Sequence, residues 1–265
     1  MNNFDAVDAK NKVIQWIKTW FDANGQDCNA VIGISSGKDS TVVAALCCEA
    51  LGKDRVIGVL MPNGTQSDIG DSYRVIRHLG IRYIEVNIAN AVDGVINELD
   101  GNYIECPRED GLKKYQKLSL SEQAVTNLPA RIRMSTLFAI AQCCNGRVSC
   151  NCNLSEDYIG YSTFGGDDFG SFAPLRHFTS EEVVAIGDAC GLPYELTHKT
   201  PSDGLCGKTD EDNFGFTYAV LNKYIRTGEC EDAEIKAKID AMHKKNLFKL
   251  MPMPAFNYWE QMLWE

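Results

Sequence analysis

The chain has 265 residues, with 26 Lys and Arg against 36 Asp and Glu, a formal net charge of −10. Apolar residues make up 45%, enough to bury a proper core, which excludes a disordered tail or a disulfide-stapled miniature. The acidic balance opposes nonspecific nucleic-acid binding, which needs Lys and Arg to displace counterions, and no apolar run approaches the roughly 20 residues of a membrane span.

The 11 cysteines are odd in number and contain no C-x-x-C pair. Cys47-Cys48 and Cys143-Cys144 sit inside helical apolar patterns, so the thiols read as reduced core residues. The opening Met-Asn-Asn-Phe-Asp lacks the basic-then-apolar character of a signal peptide. The expectation is a cytoplasmic protein without a membrane or nucleic-acid partner.

In chain order, Phe4, Val7, Ile14, Ile17 and Phe21 recur at helical spacing. A buried strand follows over Ala30–Ile34, then the loop Ser35-Ser36-Gly37-Lys38-Asp39-Ser40 and a helix ended by Gly52. A second strand covers Val56–Met61, a helix carries Tyr73, Val75, Ile76 and Leu79, and a third strand covers Ile81–Ile88. A long helix is expected over roughly Ser121–Cys144, and a fourth strand over Arg147–Cys150. Thr179 opens a further helix through the capping box T-S-E-E, and helices close the chain after the loop K-T-P-S-D-G-L-C-G-K-T. Strands alternating with helices predict an α/β fold with a parallel sheet, right-handed crossovers and helices on both faces. No repeat or composition break marks a linker, so residues 1–265 read as one domain.

The loop between the first strand and its helix carries the chemistry. Small residues let the backbone approach a ligand, and the helix N-terminus adds a partial positive charge. Asp39 beside such an anion pocket would repel phosphate unless a cation intervenes, which points to Mg²⁺. A Walker A loop does not fit, because Ile32 takes the place of its first Gly and Asp39 that of its Ser or Thr. From the loop alone, a merely structural strand-helix turn stays open.

S-S-G-K-D-S resembles the S-G-G-x-D-S loop of the N-type ATP pyrophosphatases, which cleave ATP between the α- and β-phosphates. Four further stretches narrow the likeness to ammonia-dependent NAD synthetases. N-L-P-A-R-I-R-M is similar to that family's N-x-x-A-R-x-R-M helix, and N-C-N-L-S-E to its G-T-G-N-L-S-E. G-Y-S-T-F-G-G-D resembles G-Y-x-T-K-x-G-D, and K-T-P-S-D-G-L with T-D-E-D-N-F-G-F-T-Y resembles the K-x-P-[ST]-x-x-L and D-E-x-x-L-G-x-x-Y segments. His243-Lys244 matches a His-Lys pair near the family's C-terminus.

The resemblance implies a Rossmann-like sheet of the adenine nucleotide alpha hydrolase type, and ATP-dependent amidation of deamido-NAD by ammonia through an acyl-adenylate. It makes Asp39 and Glu156 the Mg²⁺ carboxylates. Ser35, Ser36, Gly37, Lys38, Asp39, Ser40, Asn151 and Ser202 would contact ATP. Arg131, His243 and Lys244 would contact deamido-NAD, and Arg133, two residues on, would be structural. The family is homodimeric, and free ammonia is the expected nitrogen source. Several positions depart from the pattern. Ser36 replaces a Gly, Phe164 a Lys, Ser171 an Asp, and Ser180 a Lys that contacts ATP phosphates. Lys199 or Lys208 would then supply the missing charge. The competing readings are a tRNA-modifying ATP pyrophosphatase, another adenylating amide-forming enzyme, and a non-catalytic nucleotide sensor.

Overall fold

The structure, a computed structural model, describes residues 4–107, 113–199 and 210–256. Its strands are β1 (Asn29–Gly33), β2 (Val56–Leu60), β3 (Arg82–Glu85), β4 (Tyr103–Pro107), β5 (Lys113–Lys117) and β6 (Gly146–Val148). The helices are α1 (Ala6–Asn24), α2 (Lys38–Leu51), α3 (Ile69–Leu79), α4 (Ala89–Leu99), α5 (Glu122–Cys143) and α6 (Leu154–Ile159). They continue with α7 (Ser180–Ala189), α8 (Tyr194–Thr197), α9 (Asp210–Phe214), α10 (Tyr218–Thr227) and α11 (Ala233–Asn246).

Alternation along the strands decides where the helices go, because successive side chains leave opposite faces of a sheet. On β1, Ala30 and Ile32 join α1, α2, α3 and α7 in one core, which includes Ile17, Phe21, Val42, Leu46, Val75 and Ile186. Val31 points the other way, into a second core with Val92 of α4 and Met134, Leu137 and Ala141 of α5. Both faces are therefore covered, as all-parallel sheets require. Each fully buried Ile, Leu or Val contributes about 1.5–3 kcal/mol relative to exposure. A third cluster, with Ile159, Phe214, Leu221 and Ile239 at its centre, ties α6, α9, α10 and α11 together.

The sheet order is β3-β2-β1-β6, parallel throughout. Ala30 faces Val56 on one side and Arg147 on the other, and Val31 likewise faces Ile57 and Val148. The chain steps outward from β1 to β3, then returns through α5 to place β6 on the opposite side of β1. That reversal opens a crevice at the carboxyl ends of β1 and β6, the place where open α/β sheets bind ligands.

Most expected elements are present, with shifted ends. Val86 N and Ile88 N still donate to Leu60 O and Pro62 O beyond the end of β3, so the pairing runs as far as the expected third strand. The expected fourth strand continues as a parallel bridge between Ser149 and Phe172. Ser121 caps α5, and Thr179 caps α7 through the expected box with Glu182. The antiparallel hairpin β4-β5 and helix α4 were not expected from the sequence. Among the described residues, no helix is long and apolar enough to cross a membrane.

Candidate nucleotide-binding crevice

The loop after β1 is wired from within. Ser35 N donates to Ser40 Oγ at 3.2 Å, Gly37 N to Ser35 Oγ at 3.4 Å, and the Thr41 hydroxyl to Gly37 O at 2.8 Å. Gly37 caps α2 without a side-chain bond, so no side chain covers the helix's opening amides there. Ser36 adopts φ +64°, a left-handed conformation that costs a non-glycine residue on the order of 1–2 kcal/mol. Its hydroxyl donates to Asp68 Oδ2 at 2.7 Å. The replacement of glycine by Ser36 noted in the sequence thus falls at a position where the backbone favours glycine.

Lys38 is only 6% exposed. Its Nζ donates to Asp39 Oδ2 at 2.9 Å and lies 5.8 Å from the Tyr218 ring centroid. Burial opposes the ammonium, but the charges of Asp39, Glu156 and Asp210 outweigh it and raise its pKa. The Lys38 side chain therefore remains a cation inside a nest of carboxylates.

From the other strand, Asn153 opens α6 with a capping box. Its Oδ1 accepts from Ser155 N at 3.0 Å and Glu156 N at 3.1 Å, while Asn153 N donates to Glu156 Oε2 at 3.3 Å. Its amide nitrogen meanwhile donates to Asp39 Oδ1 at 3.0 Å. One side chain therefore ties Glu156, after β6, to Asp39, after β1. Glu156 is so crowded by protein that desolvation, reinforced by the Asp39 charge, pushes its pKa well up despite Lys38. Asn151 spans the same gap, donating to Gly33 O at 3.1 Å and accepting from Ser149 Oγ at 2.8 Å.

Two carboxylates, one buried cation and open helix amides at a sheet's switch point suit a polyanion with a divalent ion. Comparison with known proteins gives the family. The NAD synthase family pattern matches residues 9–257. The chain belongs to the NAD synthase family. It is a ligase of that family, similar to the NH₃-dependent NAD⁺ synthetase of Finegoldia magna, at 30% identity over 93% of this chain and 98% of that one. The Pyrococcus furiosus enzyme of the same description is 36% identical over 74% of this chain and 70% of its own. Among solved structures, the NMN synthetase of Francisella tularensis superposes with a TM-score of 0.82 at 25% identity, covering 97% of this chain and 100% of that one. The NH₃-dependent NAD synthetase of Campylobacter jejuni gives 0.73 at 25% identity, covering 96% and 100%.

The other NAD synthase motif residues fall around one segment. Arg131 Nε donates to Phe164 O at 3.2 Å. His243 Nδ1 lies 2.7 Å from Tyr158 O, and its ring stacks on Tyr158 at 4.0 Å. Phe164 packs against Phe248, with ring centroids 5.5 Å apart. Arg131 and the end of α11 are thus both anchored on residues 158–164, and Lys244 is exposed beside them. Arg133 turns inward, donating to Met61 O at 3.0 Å.

Ser180 is buried within a polar triangle. Ser155 Oγ donates to Asn222 Oδ1 at 2.5 Å, Asn222 Nδ2 to Ser180 Oγ at 3.1 Å, and Ser180 N to Ser155 Oγ at 2.9 Å. Ser171 Oγ accepts from Val148 N at 3.3 Å, beside the sheet. Lys199 Nζ is held by Asp71 at 2.8 Å and by Asp68 at 3.2 Å, the carboxylate that also holds Ser36. Ser202 and Lys208 lie outside the described residues. Sequence reasoning passed over Asn153, Asp210 and Tyr218, whose hydroxyl donates to Asp210 Oδ2 at 3.1 Å. Asn153 had one available signal, its N-cap position three residues before Glu156.

Proposed function

We propose that this chain catalyses ATP-dependent amidation of deamido-NAD by ammonia, giving NAD⁺, AMP and pyrophosphate. The observation that carries this reading is Asn153, hydrogen-bonded to both acids on the two sides of the switch point, in a chain of the NAD synthase family. A carboxylate resists nucleophiles because it is anionic and has no leaving group. The nicotinate carboxylate therefore attacks the α-phosphorus of ATP, pyrophosphate departs, and ammonia displaces AMP from the resulting acyl-adenylate.

The protein's part is positioning and charge stabilisation. The amides opening α2, with Ser35, Ser36, Gly37 and Ser40, cradle the departing phosphates, and buried Lys38 offsets their charge. Asn151 and Ser202 contact ATP. Arg131, His243 and Lys244 orient the dinucleotide. Lys199 or Lys208 supplies the cation that position 180 lacks, Lys199 by exchanging its aspartates for phosphate. Asp39 and Glu156 would hold Mg²⁺, which when bound neutralises phosphate charge. The fit is sound, because Mg²⁺ takes one or two carboxylates plus substrate phosphates, and no group of three His, Cys, Asp or Glu forms a metal cage among the described residues. One domain would carry the activity, in a cytoplasmic homodimer using free ammonia.

A second acceptor has a specific observation in its favour. The fold matches an NMN synthetase with a TM-score of 0.82, and Phe164 and Ser171 stand where the NAD synthetase motifs carry Lys and Asp. Nicotinate mononucleotide is that acceptor. The test supplies ATP, Mg²⁺ and ammonium with either acid, and measures amide product and AMP. Conversion of deamido-NAD is expected, reduced at least about 10²-fold by Asp39→Asn or Glu156→Gln. A clear preference for the mononucleotide would transfer the function to the second acceptor, and no AMP with either would contradict both.

A further inference from the structure

Cys150 and Cys152 flank Asn151, and their side chains meet at one carbonyl. Both thiols converge on one acceptor, Asp167 O, donating to it at 3.6 and 3.3 Å. Both are buried, yet Cys150 forms part of the wall of an open cleft of about 630 Å³ whose lining includes Trp16, Trp20, Phe172, Arg176 and His177. The Arg176 guanidinium stands 3.9 Å from Cys150 Sγ.

Cys48 and Cys190 lack this setting. Burial pushes Cys48 up to about 11 and Cys190 up to about 12, so both stay protonated. When Cys150 ionises, the Cys152 S–H turns to donate to its sulfur, and this bond with the Arg176 charge holds Cys150 below its ordinary range, against burial. Nor does the nucleotide chemistry require these sulfurs, since with Asn151 at the Thr of G-T-G-N-L-S-E the resemblance puts glycine at positions 150 and 152.

We propose that Cys150 and Cys152 form an oxidant-reactive dithiol, whose closure to a disulfide switches the crevice off. The oxidant is a hydroperoxide entering through the cleft. The Cys150 thiolate attacks the peroxide oxygen, breaking the O–O bond, and with one proton gives a sulfenic acid and an alcohol or water. The Cys152 sulfur then attacks the sulfenic sulfur, its proton leaves with the hydroxyl as water, and the S–S bond forms. Sulfur loses two electrons and the peroxide gains them. Closure fixes the two Cα atoms at a disulfide separation of about 5.5–6 Å. Asn151, between them, is pulled from Gly33 O, and Asn153, the next residue, shifts against Asp39. The effect on turnover rests on the function proposed above, whereas formation of the bond does not.

The test treats the full chain with hydrogen peroxide and maps thiols by peptide mass spectrometry. In parallel it follows pyrophosphate release from ATP with the preferred acceptor. The expected result is an internal Cys150–Cys152 disulfide, at least tenfold slower release, and recovery with dithiothreitol, while Cys150→Ala and Cys152→Ala keep their rates after treatment. Free thiols in the 150–152 peptide would overturn the proposal. So would a disulfide without loss of rate, or equal loss in both alanine variants. An untreated chain that releases no pyrophosphate would count against the proposed function, and the thiol map would still decide whether the bond forms. In that event, loss of ATP-induced thermal stabilisation on closure replaces the rate as the readout, and unchanged stabilisation overturns the switch.

Discussion

Asp157 shows how one charge beside the crevice is made pH-sensitive. Its carboxyl is buried, with Oδ2 bound by Arg176 Nε at 3.1 Å and Oδ1 without a hydrogen-bond partner among the described residues. Burial pushes its pKa up to about 6, partly opposed by Arg176. The folded state therefore holds a proton that the unfolded chain has released above about pH 4. Stability from this group is complete below that point and is lost as pH rises through about 6. Asp157→Asn, which stays neutral, should consequently gain on the wild type between pH 4.5 and 7.5, by up to about 3 kcal/mol. Urea titrations of both proteins without nucleotide would show this, and a constant difference across that range would refute it. Ser36 makes a different point at the same scale. Its identity reads as a departure from a glycine pattern, but the compensating bond to Asp68, 32 residues away, exists only in the fold.

At the scale of elements, α6 is a helix of only six residues whose start organises both acids. Asn153→Ala removes the cap, which costs about 1–2 kcal/mol, and also releases Asp39. The expected outcome is a modest fall in the urea midpoint together with at least a tenfold loss of pyrophosphate release. A variant with the stability loss alone would separate Asn153 from the site. Local signals made several elements legible. T-S-E-E gave the start of α7, and the apolar alternation around Ile32 gave β1 and its loop. The β4-β5 hairpin escaped because its second strand, K-K-Y-Q-K, is exposed along its whole length and so has no apolar period to read. Helix α4 buries only Val92 and carries Gly94 and two asparagines, which weaken its helical signature. The Asn153–Asp39 bond joins residues 114 apart, beyond the reach of any local pattern.

For the whole molecule, strand order is the cause of the site. Had β6 been added beyond β3, the two acids would lie at opposite edges of the sheet. Placing it beside β1 brings the loop Ser35–Ser40 and the segment Asn151–Glu156 to one crevice. The parallel α/β fold was predictable from alternation, but the partner of β1 was not, since α4, a hairpin and α5 intervene between β3 and β6. The five ordered family motifs located the acids before the topology explained why they meet. The most direct measurement of that meeting is a crystal structure with ATP and Mn²⁺ in place of Mg²⁺, using anomalous scattering to find the ion. A peak within about 2–2.3 Å of both Asp39 and Glu156 carboxyl oxygens, touching the phosphates, is the predicted result. An ion bound to ATP but remote from either acid would contradict the account.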